Sequence, residues 1–222
     1  MSVASEDRAS ALARVVPIVL PAHDEATTVR LGRAELVLEN RRGSFSLLWS
    51  DGRDARRFVL GLGGQGELCV ELRAPRFPVR CVPADVLTLV PGARLRGYVT
   101  IPLIPTVVWR DDAGATHKLV ELLPSELRGV WSEEDGHAFR VGVQWLTRFP
   151  YAGGQPQAVL PLRLYNASSA TISPAGLDVE VTDDQLGELR GSLVARPRRI
   201  NLSPDAIAGC APDAEALGGG GA

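Results

Sequence analysis

The sequence predicts an all-β protein, an antiparallel β-sandwich with little helix, built either as one large sandwich or as two small sandwich-like halves. Three observations carry that expectation. Apolar residues recur at every second position in roughly a dozen short runs. Turn signals rich in Gly, Pro, Asn and Asp separate those runs at near-regular intervals. No long stretch repeats apolar residues at helical spacing. The composition agrees: 222 residues, 45% hydrophobic and 23% charged, are ordinary globular values and exclude a collagen-like, disordered or coiled-coil chain. A chain of this length buries roughly 70% or more of its unfolded surface.

Residues 1–26 show no clear period and read as an N-terminal arm, with a short helix around Ser10–Val15 as one form of it. From Thr27 the period becomes two: Leu36 and Leu38 alternate with Glu35, Val37 and Glu39. Asn40-Arg41-Arg42-Gly43 marks a turn, Ser44–Trp49 a strand, Asp51-Gly52 another turn, and Arg57–Leu60 the next strand. Leu68, Val70 and Leu72 share one strand face. The Pro- and Arg-containing stretch Ala74–Ala84 reads as a divider, so a sub-boundary near 75–85 would part halves of about 27–75 and 85–200. Beyond it, Leu95, Val99, Ile101 and Leu103 share a side with Gly97, and Pro102 and Pro105 mark an edge strand or a bulge. Leu123–Arg128 reads as one short helical turn. A hairpin comes next, with Glu133-Glu134-Asp135-Gly136 at its tip and Phe139, Val141, Val143 and Trp145 facing inward. Ala158, Leu160, Leu162 and Leu164 line one face, Leu177, Val179 and Val181 another, and Gly191–Arg196 is the last strand expected. The sandwich is thus expected over 27–202, and 203–222 reads as a flexible Gly/Ala-rich tail ending in a four-glycine run.

With 24 basic and 26 acidic residues the formal charge is −2. Such a balance gives no global draw toward nucleic acid or an acidic membrane, and no nucleic-acid partner is expected. Lys118 is the single lysine, a bias that suits a GC-rich genome. Cys69, Cys81 and Cys210 match no CxxC spacing and read as thiols in a reducing cytosol, the alternative being a Cys69–Cys81 bridge. The acidic start is unlike a signal peptide, and the run Val15–Leu20 is far short of the ~20 apolar residues a spanning helix needs. A cytoplasmic, non-spanning protein is expected. Asn166-Ala167-Ser168 reads as a turn, not a glycan site.

Few residues point to chemistry. Gly61-Leu62-Gly63-Gly64-Gln65-Gly66 fits GxGxxG, but Glu67–Leu72 alternates like a strand, whereas a dinucleotide fingerprint needs a helix there. A hairpin turn or bulge is the expected form. Glu133, Asp135 and His137 set carboxylates beside an imidazole at a hairpin tip and are the candidate metal ligands, suited to a hard cation. His23 and His117 stand in no nucleophile motif, and GxSxG, GxxxxGK[ST], HExxH and CxxC are absent from the sequence. Arg196, Arg198 and Arg199 cluster around Pro197, and arginine suits carboxylate or phosphate partners. Trp109, just before a turn, is a candidate to stack on a sugar or partner side chain, with core packing the favoured role for all four tryptophans.

Several short segments carry a family likeness: Val90-Pro91-Gly92 to Tyr98, Ile101-Pro102-Leu103, Leu127–Trp131 with Gly136 after it, and Leu160-Pro161-Leu162-Arg163-Leu164-Tyr165-Asn166 with Ser168. Over roughly residues 65–200 the chain resembles the prokaryotic domain-of-unknown-function family 432. It departs from that pattern at Ser132–His137, where a shorter, more aromatic hairpin belongs. The resemblance implies a mostly-β domain and no catalytic residues. The expected function is a non-catalytic β-rich protein-binding or assembly role, with a protein partner or self-association and no cofactor. The alternatives are a module for sugars or small anions and an enzyme with scattered acid/base residues.

Overall fold

The computed structural model describes residues 14–31, 34–42, 44–52, 54–62, 66–124, 127–132, 136–151, 156–203 and 211–212. Its strands are β1 (Val15–Ile18), β2 (Ala26–Leu31), β3 (Ala34–Arg41), β4 (Ser44–Ser50), β5 (Ala55–Leu62), β6 (Gly66–Arg73), β7 (Val79–Pro83), β8 (Arg94–Pro102), β9 (Ile104–Asp111), β10 (Thr116–Glu121), β11 (Arg128–Ser132), β12 (Gly136–Val143), β13 (Gln157–Asn166), β14 (Leu177–Val179), β15 (Leu186–Leu189), β16 (Ser192–Ala195), β17 (Arg198–Leu202) and β18 (Ala211–Pro212). A 3-10 turn, Asp183–Gln185, is the one helical element among the described residues. The protein is all-β, as its alternating pattern predicts. It forms two compact units. One comprises 14–73 and 104–124, the other the described residues of 74–103 and 125–222.

The first unit is a sandwich of two antiparallel four-stranded sheets, ordered β2-β3-β4-β5 and β1-β6-β9-β10. Leu36, Leu38, Leu47 and Trp49 from one sheet meet Leu68, Val107 and Trp109 from the other. Alternation alone produces this layer, because every second side chain of β3 and β4 points the same way. The β4–β5 hairpin closes where the Asp51 carboxylate accepts the Asp54 N–H at 2.8 Å, with Gly52 at φ 85°. β1 lies inside the stretch read as an arm; the helix expected from Ser10 falls mostly outside the described residues. Gly63, Gly64 and Gln65 of the GxGxxG segment lie outside the described residues; the strands on either side of it, β5 and β6, belong to different sheets. The bulge lies just before it, where Phe45 pairs with Gly61 but Ser46 pairs with Val59. A strand begins at Gly66, so no helix N-terminus is offered to a phosphate.

In the second unit a four-stranded sheet is ordered β11-β12-β7-β14. A six-stranded sheet is built around β13, which pairs antiparallel with β8 on one side and parallel with β16 and then β17 on the other. β7 occupies the stretch read as a divider and pairs parallel with β12. So the sheets are mixed here, where alternation alone suggests antiparallel pairing throughout. The short helical turn expected at Leu123–Arg128 is absent from its described residues, which are irregular up to β11. β13 tolerates a mid-strand proline for a visible reason. β16 pairs with Ala158 and Val159, β17 pairs from Leu162 onward, and Pro161 sits in the gap, where no ladder partner awaits its missing N–H. The inward residues of β13, Ala158, Leu160, Leu162 and Leu164, are at most 1% exposed.

Candidate anion-binding face

Strand alternation separates the three arginines that cluster in sequence. Arg198 points inward from β17 and is 3% exposed. Its Nη2 donates to the Glu180 carbonyl and to Gln185 Oε1, and its Nε–H has no hydrogen-bond partner among the described residues. It is a structural cation that holds the 3-10 turn. Gln185 Oε1 also accepts the Thr182 N–H, completing a capping box over that turn. Beside it, the Thr182 hydroxyl bonded to Asp184, helped by the charges of Arg196 and Arg198, holds the Asp184 carboxyl below its ordinary value. Arg196 is half-buried in the β16–β17 link, its backbone N–H bonded to the Gln185 carbonyl at 2.9 Å.

Arg199 alone of the three points outward, and the sheet register gives it company. Arg199 pairs with Arg163 of β13, and Arg163 pairs with Arg96 of β8. Three exposed arginines therefore stand in one row across three adjacent strands. In the next row Arg94, Tyr165 and Asn201 are aligned in the same way, with the Arg94 guanidinium 5.3 Å from the Tyr165 ring centre. No outward position of β8, β13 or β17 is Asp or Glu. Neighbouring strands lie about 4.8 Å apart, so the row spans roughly 10 Å. A planar guanidinium is the side chain best shaped to hold a carboxylate or phosphate through two parallel hydrogen bonds.

An aromatic cluster borders the row. Tyr98, next outward residue on β8, meets Phe149 edge-on at 5.6 Å, and Phe149 meets Tyr151 at 5.8 Å. The segment carrying these rings is tied to β8 by reciprocal backbone bonds between Tyr98 and Leu146, 2.8 and 2.9 Å long. Gly97 permits that approach. A Cβ there would lie 2.4 Å from Trp145 Nε1 and 2.8 Å from the Leu146 carbonyl.

The other residues singled out in sequence are placed differently. Trp109 is 7% exposed in the core of the first unit, so its ring is not presented to a ligand. It also explains Gly66, whose Cβ would strike the indole. Glu133 and Asp135 lie outside the described residues, as does the side chain of His137. Among the described residues no three His, Cys, Asp or Glu are grouped to hold a metal ion. His117 Nε2 lies 2.9 Å from Asp111 Oδ2, and that contact, with the Ala115 N–H, holds the Asp111 carboxyl below its ordinary value. His23 sits 3.4 Å from Asp24 on an exposed turn. Cys69 and Cys81 are buried and form no disulfide, and burial pushes the Cys69 thiol up. Cys210 lies outside the described residues.

The sequence signal for the arginine row is faint. Arg94 and Arg96 show as an Arg-x-Arg pair, but Arg163 and Arg199 stand 67 and 103 residues from Arg96, and only strand pairing unites them. Among the described residues no helix is long and apolar enough to cross a membrane. No protein-family model, curated protein or solved structure matches the chain.

Proposed function

We propose that this chain is a non-catalytic β-rich binding or assembly protein that engages a negatively charged partner through the outward face of β8, β13 and β17. The observation that carries the reading is the row Arg96–Arg163–Arg199. Clustered guanidiniums add their fields where single surface charges contribute little, and that summed field favours a negatively charged partner. A cytoplasmic setting fits buried cysteines that form no disulfide.

Affinity purification of the tagged protein from its own source cells, with mass spectrometry of the eluate, tests the proposal. The wild-type chain is compared with an Arg96→Glu/Arg163→Glu/Arg199→Glu variant. A stoichiometric partner held by the wild type, released by salt and missing from the variant, is the expected result. An identical set of co-purifying proteins, or a wild-type chain that comes out alone, overturns it.

A further inference from the structure

We infer that the open edge of β2 pairs with β2 of a second copy of this chain, antiparallel about a two-fold axis through Thr28, and joins the two β2-β3-β4-β5 sheets into one. This edge lies in the first unit and is independent of the arginine row. The ladder between β2 and β3 shows which backbone groups are open. The Asn40 N–H donates to the Glu25 carbonyl at 3.0 Å, continuing the register that runs from Ala26 opposite Glu39 to Leu31 opposite Ala34. Glu25 and Asn40 are therefore a hydrogen-bonded pair, and Thr27, Val29 and Leu31 follow at every second step. Their N–H and C=O groups point to β3. Those of Ala26, Thr28 and Arg30 point the other way, where no described residue takes them. Ala26, Thr27 and Thr28 are exposed, and Val29 and Leu31 are only half-buried.

Folded proteins blunt such edges with proline, lysine or a bulge. The other three edge strands of this unit carry one of these. β1 has Pro17, β10 has the chain's single lysine, Lys118, beside a shift of register, and β5 shifts register between Val59 and Gly61. β2 has none of them over six residues in unbroken register, and Thr27, Thr28 and Val29 at its centre are β-branched residues suited to a sheet. The occupant follows from how the strand matches itself. With Thr28 opposite Thr28, Ala26 stands opposite Arg30 at each end, so every outward backbone group of β2 meets its complement. On the core side, Thr27 of one copy lies against Val29 of the other in the closer, non-hydrogen-bonded pairs, which covers the half-buried Val29. Charge agrees as well. Arg30 opposes the small Ala26 of the second copy, and the next residue in that row is Glu39. The two Arg30 side chains stand about 14 Å apart along the strands, beyond the ~8 Å Debye length at physiological salt. Sliding the register to set Val29 opposite Val29 halves that separation and leaves Ala26 opposite no residue of β2; sliding it the other way does the same to Arg30. Arg30 contributes its backbone here, so its ion pair with Glu35 stays in place.

Sedimentation equilibrium of the full chain over a roughly hundredfold range of concentration tests this. The wild type is expected to pass from one chain to two as the concentration rises. Thr28→Pro removes an N–H that points to the edge and none that β3 uses, so circular dichroism should show the fold retained while the dimer is lost. Should that variant fold poorly, Thr28→Lys leaves every N–H in place and sets two like charges opposite one another on the axis; a roughly tenfold or greater rise in the dimer dissociation constant is expected. A wild type that stays a single chain throughout overturns the pairing. So does a dimer that Thr28→Lys, or a folded Thr28→Pro, leaves as tight as before.

Discussion

Replacing Gly97 by alanine tests the packing that ties the aromatic segment to β8. Gly97 has an ordinary strand backbone, so the cost is steric alone. The new Cβ would sit 2.4 Å from Trp145 Nε1, 2.5 Å from its Cε2 and 2.8 Å from the Leu146 carbonyl. Ordinary contacts begin near 3.4 Å, so the indole must retreat by about 1 Å. Overpacking of this kind costs about 1–3 kcal/mol. The carbonyl belongs to the Tyr98–Leu146 pair, and straining one of those two bonds adds about 1 kcal/mol. The sum is roughly 2–4 kcal/mol. Gly142 on β12 is the control, in the same unit, with nothing within 4 Å of an added Cβ. Gly142→Ala should stabilise by about 0.4–1 kcal/mol through the unfolded chain. The same chemical change thus has opposite signs at two sites. Urea unfolding monitored by tryptophan fluorescence reads both. Equal stability of Gly97→Ala and wild type, or equal loss at the two sites, would mean that the indole does not press on β8 at this point.

The remaining predictions concern charge. Arg198→Ala removes two hydrogen bonds from a buried cation and should cost about 3 kcal/mol or more, whereas Arg96→Ala on the exposed face should change stability by no more than about 0.5 kcal/mol; urea unfolding compares them. Burial pushes Glu71 upward, but hydrogen bonds from Arg73 and Arg110 outweigh it and hold the carboxyl below its ordinary 4.5. A depressed carboxyl stabilises the fold above its unfolded pKa and loses that contribution as the pH falls toward its folded value. The stability gap between wild type and Glu71→Gln should therefore be full above about pH 4.5 and shrink below it; a gap that widens in acid would contradict the pairing. Cys69, buried with a raised pKa, should resist a thiol reagent until the chain unfolds, which a timed labelling series checks.

Much of the fold is legible because burial on one face forces alternation, and alternation survives in one dimension. Leu36, Leu38, Leu47 and Trp49 alternate along their strands, and the structure packs them as one layer. Phe139, Val141 and Val143 are buried while Arg140 and Gln144 are exposed, as their period implies. Where proline or arginine interrupts the period, the pattern no longer marks a strand. β7 runs into Pro83 and carries Arg80, and β1 contains Pro17, so both short strands look like a divider and an arm. Side-chain direction within a basic cluster is fixed only once the strand is placed: β17 begins at Arg198, turning Arg198 in and Arg199 out. The arginine row is less legible still. Its members come from three strands distant in sequence, and register between strands is a tertiary property that no local pattern records.

Which arginines meet an anion decides whether the outward face of β8, β13 and β17 is a binding surface. Side-chain Nε–H resonances of a labelled protein, recorded as an acidic peptide of alternating Glu and Ser is titrated in, distinguish them in one experiment. The predicted result is a saturable shift confined to Arg94, Arg96, Arg163 and Arg199, with the buried Arg198 unmoved. A shift at Arg198 without the outward four, or changes scattered over arginines of both units, would contradict the claim.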